Sequence, residues 1–197
     1  MQPTNMHKIL GLAAGLLLAA ASQAQPVIGQ AGKDVVWVPT PPTLVDKMLE
    51  MAKVTATDYV IDLGSGDGRN IIAAAKLGAR GLSVEWDTEL VEVSRRAAAA
   101  EDVADRARFV EGDMFEADIS KATVLALFLL PDNLLRLKPK FERLRPGTRI
   151  VVNGYQIQGW EPVEVGVAGG DCGAWCTAYL YVVPKTAANS GSGRPAQ

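Results

Sequence analysis

The stretch that decides the fold is Val60-Ile61-Asp62-Leu63-Gly64-Ser65-Gly66-Asp67-Gly68-Arg69-Asn70. A short apolar run reaches a carboxylate, passes through three closely spaced glycines and continues into an Ile/Ala-rich segment. This order predicts a strand, a tight loop and a helix, the unit that forms the ligand-binding end of a doubly wound α/β sheet. Glycines in such a loop let the backbone turn sharply and approach a ligand closely.

The charges beside this loop disfavour a dinucleotide. The dinucleotide fingerprint needs a third small residue where this chain has Arg69, and it rests a pyrophosphate on the helix N-terminus. Asp62 and Asp67 would repel that group, since unit charges a few Å apart interact by about 4 kcal/mol at an effective dielectric near 20. The same carboxylates suit an ammonium and a sulfonium, so we expect S-adenosylmethionine as the cofactor. A nucleotide-dependent oxidoreductase is a remaining alternative.

Two acids further along the chain agree with this expectation. Leu82-Ser83-Val84-Glu85 predicts a second strand that ends in an acid, about 20 residues after the glycine loop, where a ribose-binding carboxylate belongs. Arg108-Phe109-Val110-Glu111-Gly112-Asp113-Met114 predicts a third strand that ends in another acid, Asp113, which could accept a hydrogen bond from an adenine amino group. Asp62, Glu85 and Asp113 would then lie along one edge of the sheet.

Strand and helix signals alternate along the middle of the chain, which predicts a Rossmann-like, mostly parallel sheet covered on both faces. The remaining predicted strands and helices, in chain order, are a helix over 43–53, a helix over 87–104, a short helix or turn over 116–120, a buried strand within 122–130, a helix after Pro131, and a strand over 149–153. No helix signal separates the last two predicted strands, over 162–167 and 176–183. We therefore expect a C-terminal hairpin with one antiparallel strand.

The N-terminus is typical of a secretory signal. In residues 1–24 a weakly basic start precedes an apolar run and a Ser-Gln-Ala cleavage site. We expect an exported, periplasmic protein that begins at Gln25, has no membrane span after cleavage and has lost its single histidine, His7. The alternative is a retained membrane anchor with the domain in the cytoplasm. The cofactor is made in the cytoplasm, and an exported domain must therefore be supplied with it.

Three further segments follow. Residues 25–40 predict an extended arm, because proline fixes φ in Trp37-Val38-Pro39-Thr40-Pro41-Pro42. The arm is either a strut packed over the domain or a wall of the cofactor or substrate entrance. Residues 41–184 form the predicted catalytic domain, and residues 185–197, rich in Ala, Ser, Gly and Pro, predict a disordered tail.

Composition excludes some partners. The chain has 197 residues, enough for one domain, and a formal net charge of −2. No cluster of lysines and arginines interleaves with aromatic residues, so we expect no nucleic-acid partner. The oligomeric state cannot be predicted from these features.

The two cysteines stand close together in Cys172-Gly173-Ala174-Trp175-Cys176. Export favours a disulfide, but the pair can form one only if residues 173–175 turn, because an extended stretch would hold the Cα atoms about 13 Å apart. Two free thiols and a metal or redox role are the alternatives. Two sulfurs without histidine make a poor zinc set, and we expect no metal site.

With these residues placed, the chain resembles the class I, seven-stranded S-adenosylmethionine-dependent methyltransferases. Within them it is similar to the small protein-lysine methyltransferases of the ATP synthase c-subunit and adenine nucleotide translocase type. The stretches that carry the resemblance are Val38-Pro39-Thr40-Pro41, Asp62 to Arg69, Gly78-Ala79-Arg80-Gly81, Phe128-Leu129-Leu130-Pro131 and Arg145-Pro146-Gly147-Thr148-Arg149. The chain departs from the family pattern at Phe128, where the family has tyrosine, and near Asn153, where it has histidine.

The resemblance implies a site. The implied cofactor-binding residues are Asp62, Gly64, Ser65, Gly66, Asp67, Glu85, Asp113 and Met114, and the implied acceptor-binding residues are Trp37, Phe128, Leu129 and Pro131. Methyl transfer is an in-line displacement that depends on positioning, and a desolvating pocket can lower an amine pKa. We therefore expect no dedicated catalytic residue. The implied activity is methylation of a protein lysine. A small-molecule acceptor, or a non-catalytic exported binding protein on the same scaffold, is the alternative.

Overall fold

The computed structural model describes residues 27–30, 36–170 and 172–185. The predicted signal peptide and residues 186–197 of the predicted tail lie outside these residues. The described part of the chain contains these elements in order: α1 (Pro42–Met51), β1 (Tyr59–Leu63), α2 (Arg69–Lys76), β2 (Arg80–Glu85), α3 (Thr88–Ala100), β3 (Ala107–Glu111), β4 (Val124–Leu127), α4 (Pro131–Phe141), β5 (Arg149–Asn153), β6 (Glu164–Val167) and β7 (Thr177–Val182).

The strands form a seven-stranded sheet in the order β3-β2-β1-β4-β5-β7-β6. All neighbours pair in parallel except β7, which is antiparallel to both β5 and β6. The predicted mostly parallel sheet with one antiparallel C-terminal strand is confirmed. Because β1, β2 and β3 are adjacent and parallel, their carboxyl ends meet at one edge of the sheet.

Alternate side chains of the buried strands enter two separate cores. Val60 of β1 and Ala126 of β4 join the core that contains α1, α2 and α3. Their neighbours Ile61 and Leu127 join the core that contains α4. This alternation follows from the two-residue period of a strand, and it explains why the central strands β1 and β4 are apolar except at Asp62.

The two faces are not covered equally. In the described residues three helices lie on one face, whereas α4 is the single helix on the other. Residues 112–123 and 154–163 make connections without a helix, so the short helix or turn predicted over 116–120 is a turn. The expected cover on both faces is therefore partly provided by loops.

Several element boundaries differ from the predicted ones. Helix α1 begins at Pro42 rather than Thr43, because proline suits the first turn, where its missing N–H is not needed. Helix α3 starts as expected, with the Asp87 carboxylate accepting from two backbone N–H groups, but it ends at Ala100 rather than 104. Asp102 then adopts a left-handed φ of 54°, which a helix cannot contain.

An ion pair links the start of β1 to the start of β5, at the edge of the sheet opposite the glycine loop. Asp58, just before β1, accepts from the backbone N–H of Thr55 at 2.8 Å and the hydroxyl of Thr123 at 2.7 Å, and it pairs with Arg149 of β5. Burial raises the pKa of Asp58, but these hydrogen bonds and the arginine charge outweigh it, and the pKa lies below its usual value.

None of the helices in the described ranges is long and apolar enough to cross a membrane.

Candidate active site

The glycine loop is held by hydrogen bonds to β2 and α3. The N–H of Gly64 donates to the carbonyl of Val84 on β2 at 2.8 Å, and the N–H of Gly66 donates to the carboxylate of Glu85 at 2.7 Å. The hydroxyl of Ser94 on α3 donates to the carbonyl of Gly66 at 3.2 Å. The loop therefore presents a fixed backbone to whatever binds over it.

The loop forms one wall of a small, partly open pocket. The opposite wall is the predicted arm, which lines the pocket from Trp37 to Thr40. The other lining residues are Asp62, Gly64, Ser65, Gly66, Asp67, Arg69, Asn70 and Phe128. The arm is thus a wall of this pocket rather than a remote strut.

The ring of Trp37 packs against the glycine loop at Gly66. A β-carbon built on Gly66 would lie 2.3 Å from the indole nitrogen of Trp37, and Gly66 has a φ of 56°, so glycine is required there for two reasons. We expected Trp37 among the acceptor residues. The structure instead places its ring against the loop that carries the predicted cofactor residues.

Asp62 is a buried carboxylate at the base of the pocket. Its exposed fraction is 2%, and it accepts a hydrogen bond of 3.0 Å from the side-chain amide of Asn70. Burial, together with the charges of Glu85 and Asp67, raises the pKa of Asp62 well above its usual value. A cation bound beside it would relieve that cost.

Asn70 was not predicted from the sequence. It is the second residue of α2, and its side-chain oxygen is buried without a hydrogen-bond partner among the described residues. A buried polar atom without a partner is uncommon in a folded protein. Because Asn70 lines the pocket, a ligand N–H or O–H group could complete its hydrogen bonds.

Asp67 is already paired within the chain. The guanidinium of Arg69 donates to its carboxylate at 2.9 Å and 2.5 Å and also to the backbone carbonyl of Thr40 at 2.6 Å. Arg69, which occupies the position of the dinucleotide fingerprint's third small residue, therefore ties the arm to the glycine loop. The sequence motif predicted Asp67 as a cofactor residue but gave no sign of this bridge.

Glu85 lies at the end of β2 as predicted, whereas β3 ends at Glu111, so Asp113 follows the strand rather than ending it. The Glu85 carboxylate accepts from Gly66 and, at 3.0 Å, from the backbone of Asp87, so it is fixed while its oxygens keep lone pairs free for ribose hydroxyls. Asp113 accepts from the N–H of Phe115 at 2.9 Å.

Met114 and Leu129 belong to the core that contains α4, and they contact the glycine loop from that side. A β-carbon on Gly64 would lie 3.2 Å from Leu129 and 3.7 Å from the sulfur of Met114. Both side chains are buried. Leu129, predicted as an acceptor residue, thus lies against the cofactor loop, whereas Phe128 lines the pocket and Pro131 is exposed at the start of α4.

Cys172 and Cys176 are joined by a disulfide in the structure, with their Cα atoms 5.2 Å apart. Residues 173–175 make the turn that such a bridge needs, with Gly173 at a φ of 55° and the N–H of Trp175 donating to the carbonyl of Cys172 at 3.0 Å. In the described residues no group of three or more His, Cys, Asp or Glu side chains is arranged to hold a metal ion.

The residues that line the pocket, together with Glu85, which accepts from the N–H of Gly66 but does not line the pocket, fit S-adenosylmethionine. Asp62 offers a buried negative charge to an ammonium, Asn70 offers an unused acceptor, and Glu85 offers a fixed carboxylate for a ribose. The glycine loop adds a surface without side chains, over which the ligand can lie close to the backbone.

Comparison with known proteins identifies the family. Residues 62–164 match the ANTKMT methyltransferase domain model. The chain belongs to this family. It is 45% identical over 152 residues to a protein-lysine N-methyltransferase of Saccharolobus islandicus, with 76% of this chain and 94% of the relative covered. It is 31% identical over 169 residues to the lysine N-methyltransferase of the ATP synthase c-subunit from Homo sapiens, with 84% and 72% covered.

A solved structure agrees with the fold and the cofactor. It is described as an RNA methyltransferase from Salinibacter ruber in complex with S-adenosyl-L-homocysteine, and it matches with a TM-score of 0.70 and 44% identity over 76% of this chain and 95% of that one. This ANTKMT-family chain is an S-adenosylmethionine-dependent methyltransferase. The relatives therefore do not support the alternatives of a nucleotide-dependent oxidoreductase and of a non-catalytic binding protein.

Proposed function

We propose that the chain transfers a methyl group to the side-chain nitrogen of a lysine in a protein. The observation that carries this proposal is the 45% identity to a protein-lysine N-methyltransferase that is matched over 94% of its length. A match that covers 76% of this chain necessarily includes its middle part, with the glycine loop and the segment after β4 that make up much of the candidate site.

The shape of the site supports a side chain as the acceptor. Phe128, at the carboxyl end of β4, lines the same pocket as Asp62 and the glycine loop. In the described residues no domain is inserted between these elements, so the pocket opens at the sheet edge. A long, narrow side chain such as that of lysine can reach the pocket while its own protein stays outside.

Methyl transfer depends mainly on holding the donor and the acceptor in the right positions. S-adenosylmethionine supplies an activated methyl group when it is bound. Asp62, Asn70 and Glu85 would bind and orient the donor, and the apolar ring of Phe128 would exclude water from the acceptor. Desolvation lowers the pKa of an amine, so that a larger share of the acceptor is neutral and nucleophilic. We assign no residue as a general base.

RNA is the competing acceptor, because the solved relative from Salinibacter ruber is described as an RNA methyltransferase. The formal net charge of −2 gives this chain little electrostatic attraction for a polyanion. We therefore favour a protein lysine, and a decisive experiment must offer both acceptors.

The test uses the purified protein with S-adenosylmethionine carrying a labelled methyl group. Membrane proteins, cytosolic proteins and total RNA are offered separately, and the label is located by mass spectrometry. Label on the Nζ atom of lysine, lost in Asp62→Ala and Glu85→Ala, is the expected result. Label confined to RNA, or to small molecules, would overturn the lysine proposal while leaving the methyltransferase assignment intact.

We also propose that residues 1–24 act as a signal peptide and that the domain works in the periplasm. The apolar run with its Ser-Gln-Ala site and the close pair Cys172 and Cys176 support this, since disulfides persist in oxidising compartments. The test is the N-terminal sequence of the protein recovered from fractionated cells. A mature start at Gln25 in the periplasm is expected. An intact N-terminus on membranes, with the domain reachable by protease from the cytoplasmic side alone, would favour the tethered alternative.

A further inference from the structure

One charged group of S-adenosylmethionine has no partner among Asp62, Asn70 and Glu85. The donor carries a carboxylate and an ammonium on the same carbon, in addition to its sulfonium. Asp62 suits the ammonium, but Asp62 and Asp67 both line the pocket and repel a carboxylate. A positive charge close to these two acids is therefore expected.

Arg69 is the only positively charged side chain among the described residues that line this pocket. It is the first residue of α2, at the end of the glycine loop, whereas Asp62 lies in β1, just before the loop. The lining thus has two carboxylates and one guanidinium, which leaves one negative charge in excess. The donor, with two cationic groups and one carboxylate, has one positive charge in excess, so the two sets of charges are complementary.

The guanidinium of Arg69 is held in place but keeps donors to spare. A guanidinium has five N–H groups. Nε and Nη2 donate to the carboxylate of Asp67 at 2.9 Å and 2.5 Å, and Nη1 donates to the backbone carbonyl of Thr40 at 2.6 Å. Two N–H groups, one on each terminal nitrogen, therefore have no partner in the described part of the chain. The two oxygens of a carboxylate can accept from both.

Asp67 sets the direction of the guanidinium. Pairing through two parallel hydrogen bonds fixes the plane of an arginine head group, and a group fixed in advance loses less entropy when a ligand binds. The side chain of Arg69 is still 30% exposed, so a ligand can reach it. Asp67, which we expected to bind the cofactor directly, thus acts through Arg69.

We propose that Arg69 binds the carboxylate of the methyl donor and that Asp67 positions it for this task, so that Arg69 selects donors that carry the carboxylate. The inference concerns the donor alone and holds for any acceptor. It also links the donor to the arm, because the same guanidinium holds the carbonyl of Thr40.

A purely structural role for Arg69 has a different consequence. If the guanidinium only ties the arm to the glycine loop, its loss disturbs the pocket for every donor analogue alike. If it binds the carboxylate, its loss affects only the ligands that have one. Decarboxylated S-adenosylmethionine keeps the adenosine, the sulfonium and the ammonium, so it separates the two roles.

The first test measures the affinities of both compounds by isothermal titration calorimetry and takes their ratio, which we call the carboxylate preference. Wild type should bind S-adenosylmethionine at least about tenfold more tightly than the decarboxylated compound, because hydrogen bonds between charged groups are strong. In Arg69→Met this preference should disappear. No preference in wild type, or a preference that Arg69→Met leaves unchanged, would overturn the proposal.

The second test removes the charge that the first one leaves unpaired. In Arg69→Met the carboxylate of Asp67 has lost its partner, and by itself it would disfavour an anionic group. Asp67→Asn combined with Arg69→Met has neither charge. The carboxylate preference should stay lost in this double variant. A return to the wild-type preference would mean that the unpaired acid caused the loss, and it would overturn the role of Arg69.

Two further variants control for net charge and for folding. Arg96→Met removes an exposed arginine of α3 and should keep the wild-type preference; a loss there would overturn the proposal, because it would point to overall charge. If Arg69→Met does not fold, Arg69→Lys replaces it. Lysine keeps the charge without the planar fork and should lower the preference at least about threefold. An unchanged preference in Arg69→Lys would then overturn the proposal.

Discussion

The side-chain amide of Asn70 donates a hydrogen bond of 3.0 Å to the buried carboxylate of Asp62, where β1 meets the start of α2. This bond fixes the carboxylate but does not neutralise it. The sequence between the two residues is the glycine loop itself. The same short stretch of chain therefore supplies the backbone surface of the pocket, its buried charge and the group that orients that charge.

Asp62→Asn should weaken binding of S-adenosylmethionine by about 10- to 100-fold, because hydrogen bonds to charged groups contribute about 1.5–3 kcal/mol. The amide keeps the size of the side chain and removes its charge. Isothermal titration calorimetry measures the effect. Asp118→Asn, at an exposed turn, is the matched control. An affinity within about twofold of wild type would mean that the Asp62 charge is not used.

Binding should also depend on pH through Asp62. Its pKa is raised by burial and by Glu85 and Asp67, so part of the protein carries the neutral acid in the range above the usual value of 3.8. The cationic ligand favours the carboxylate, so affinity should rise with pH up to the raised pKa and then level off, with a proton released on binding. Calorimetry in buffers with different ionisation enthalpies counts that proton. The proton release should disappear in Asp62→Asn.

The same substitution should stabilise the protein without ligand. A folded-state pKa above the unfolded value means that the native state binds more protons, so stability falls as pH rises from about 3.8 through the raised pKa. Asp62→Asn removes this loss, and its melting temperature at pH 7 should exceed that of wild type. Thermal unfolding at pH 4 and pH 7 checks the sign. A variant less stable than wild type at pH 7 would contradict it.

Gly66→Ala should damage both the fold and the site. The φ of 56° disfavours any side chain, and the new methyl group would lie 2.3 Å from the Trp37 indole. Strained backbone positions of this kind cost about 1–3 kcal/mol, and Trp37 must move. Denaturant unfolding and calorimetry measure the two effects. Combining the change with Trp37→Ala should recover part of the binding. If binding does not recover, the loss in Gly66→Ala does not come from a clash between the new methyl group and the Trp37 ring.

Asp58→Asn should lower stability at pH 7 by about 2 kcal/mol, since it loses charged hydrogen bonds at the opposite edge of the sheet. The pKa of Asp58 lies below its usual value, so its stabilisation is present above the unfolded pKa and is lost as pH falls through the folded one. The stabilities of variant and wild type should therefore converge in acid. Binding of S-adenosylmethionine should stay within about twofold, and a larger change would contradict the structural role.

Much of the fold was predictable because local signals and topology agree. The apolar runs and the glycine loop predicted the parallel strands, and the missing helix before the last strand predicted the antiparallel one. The acids at the strand ends could be placed for the same reason, since parallel strands put Glu85 and Asp113 at one edge. The helix-poor face was not predicted, because loops that cover a sheet carry no periodic signal.

The rest of the site depends on contacts between distant segments. Nothing in the sequence indicates that Arg69 reaches the carbonyl of Thr40, a separation of 29 residues. The packing of Tyr155 and Trp175 against Phe128 was likewise not predicted, because an aromatic residue in a loop shows its partners only after the strands are ordered. The single clue was Trp175 between two close cysteines, which indicates a constrained turn but not what the turn faces.

Phe128 lines the donor pocket and also packs edge-on against Trp175, with the ring centroids 5.0 Å apart. When two ligands contact opposite parts of one ring, their binding affinities are thermodynamically linked. Whatever factor the acceptor contributes to donor affinity, the donor must contribute to acceptor affinity. An acceptor held against Phe128 would therefore change donor affinity by the same factor by which the donor changes acceptor affinity, with this single side chain as the coupling element.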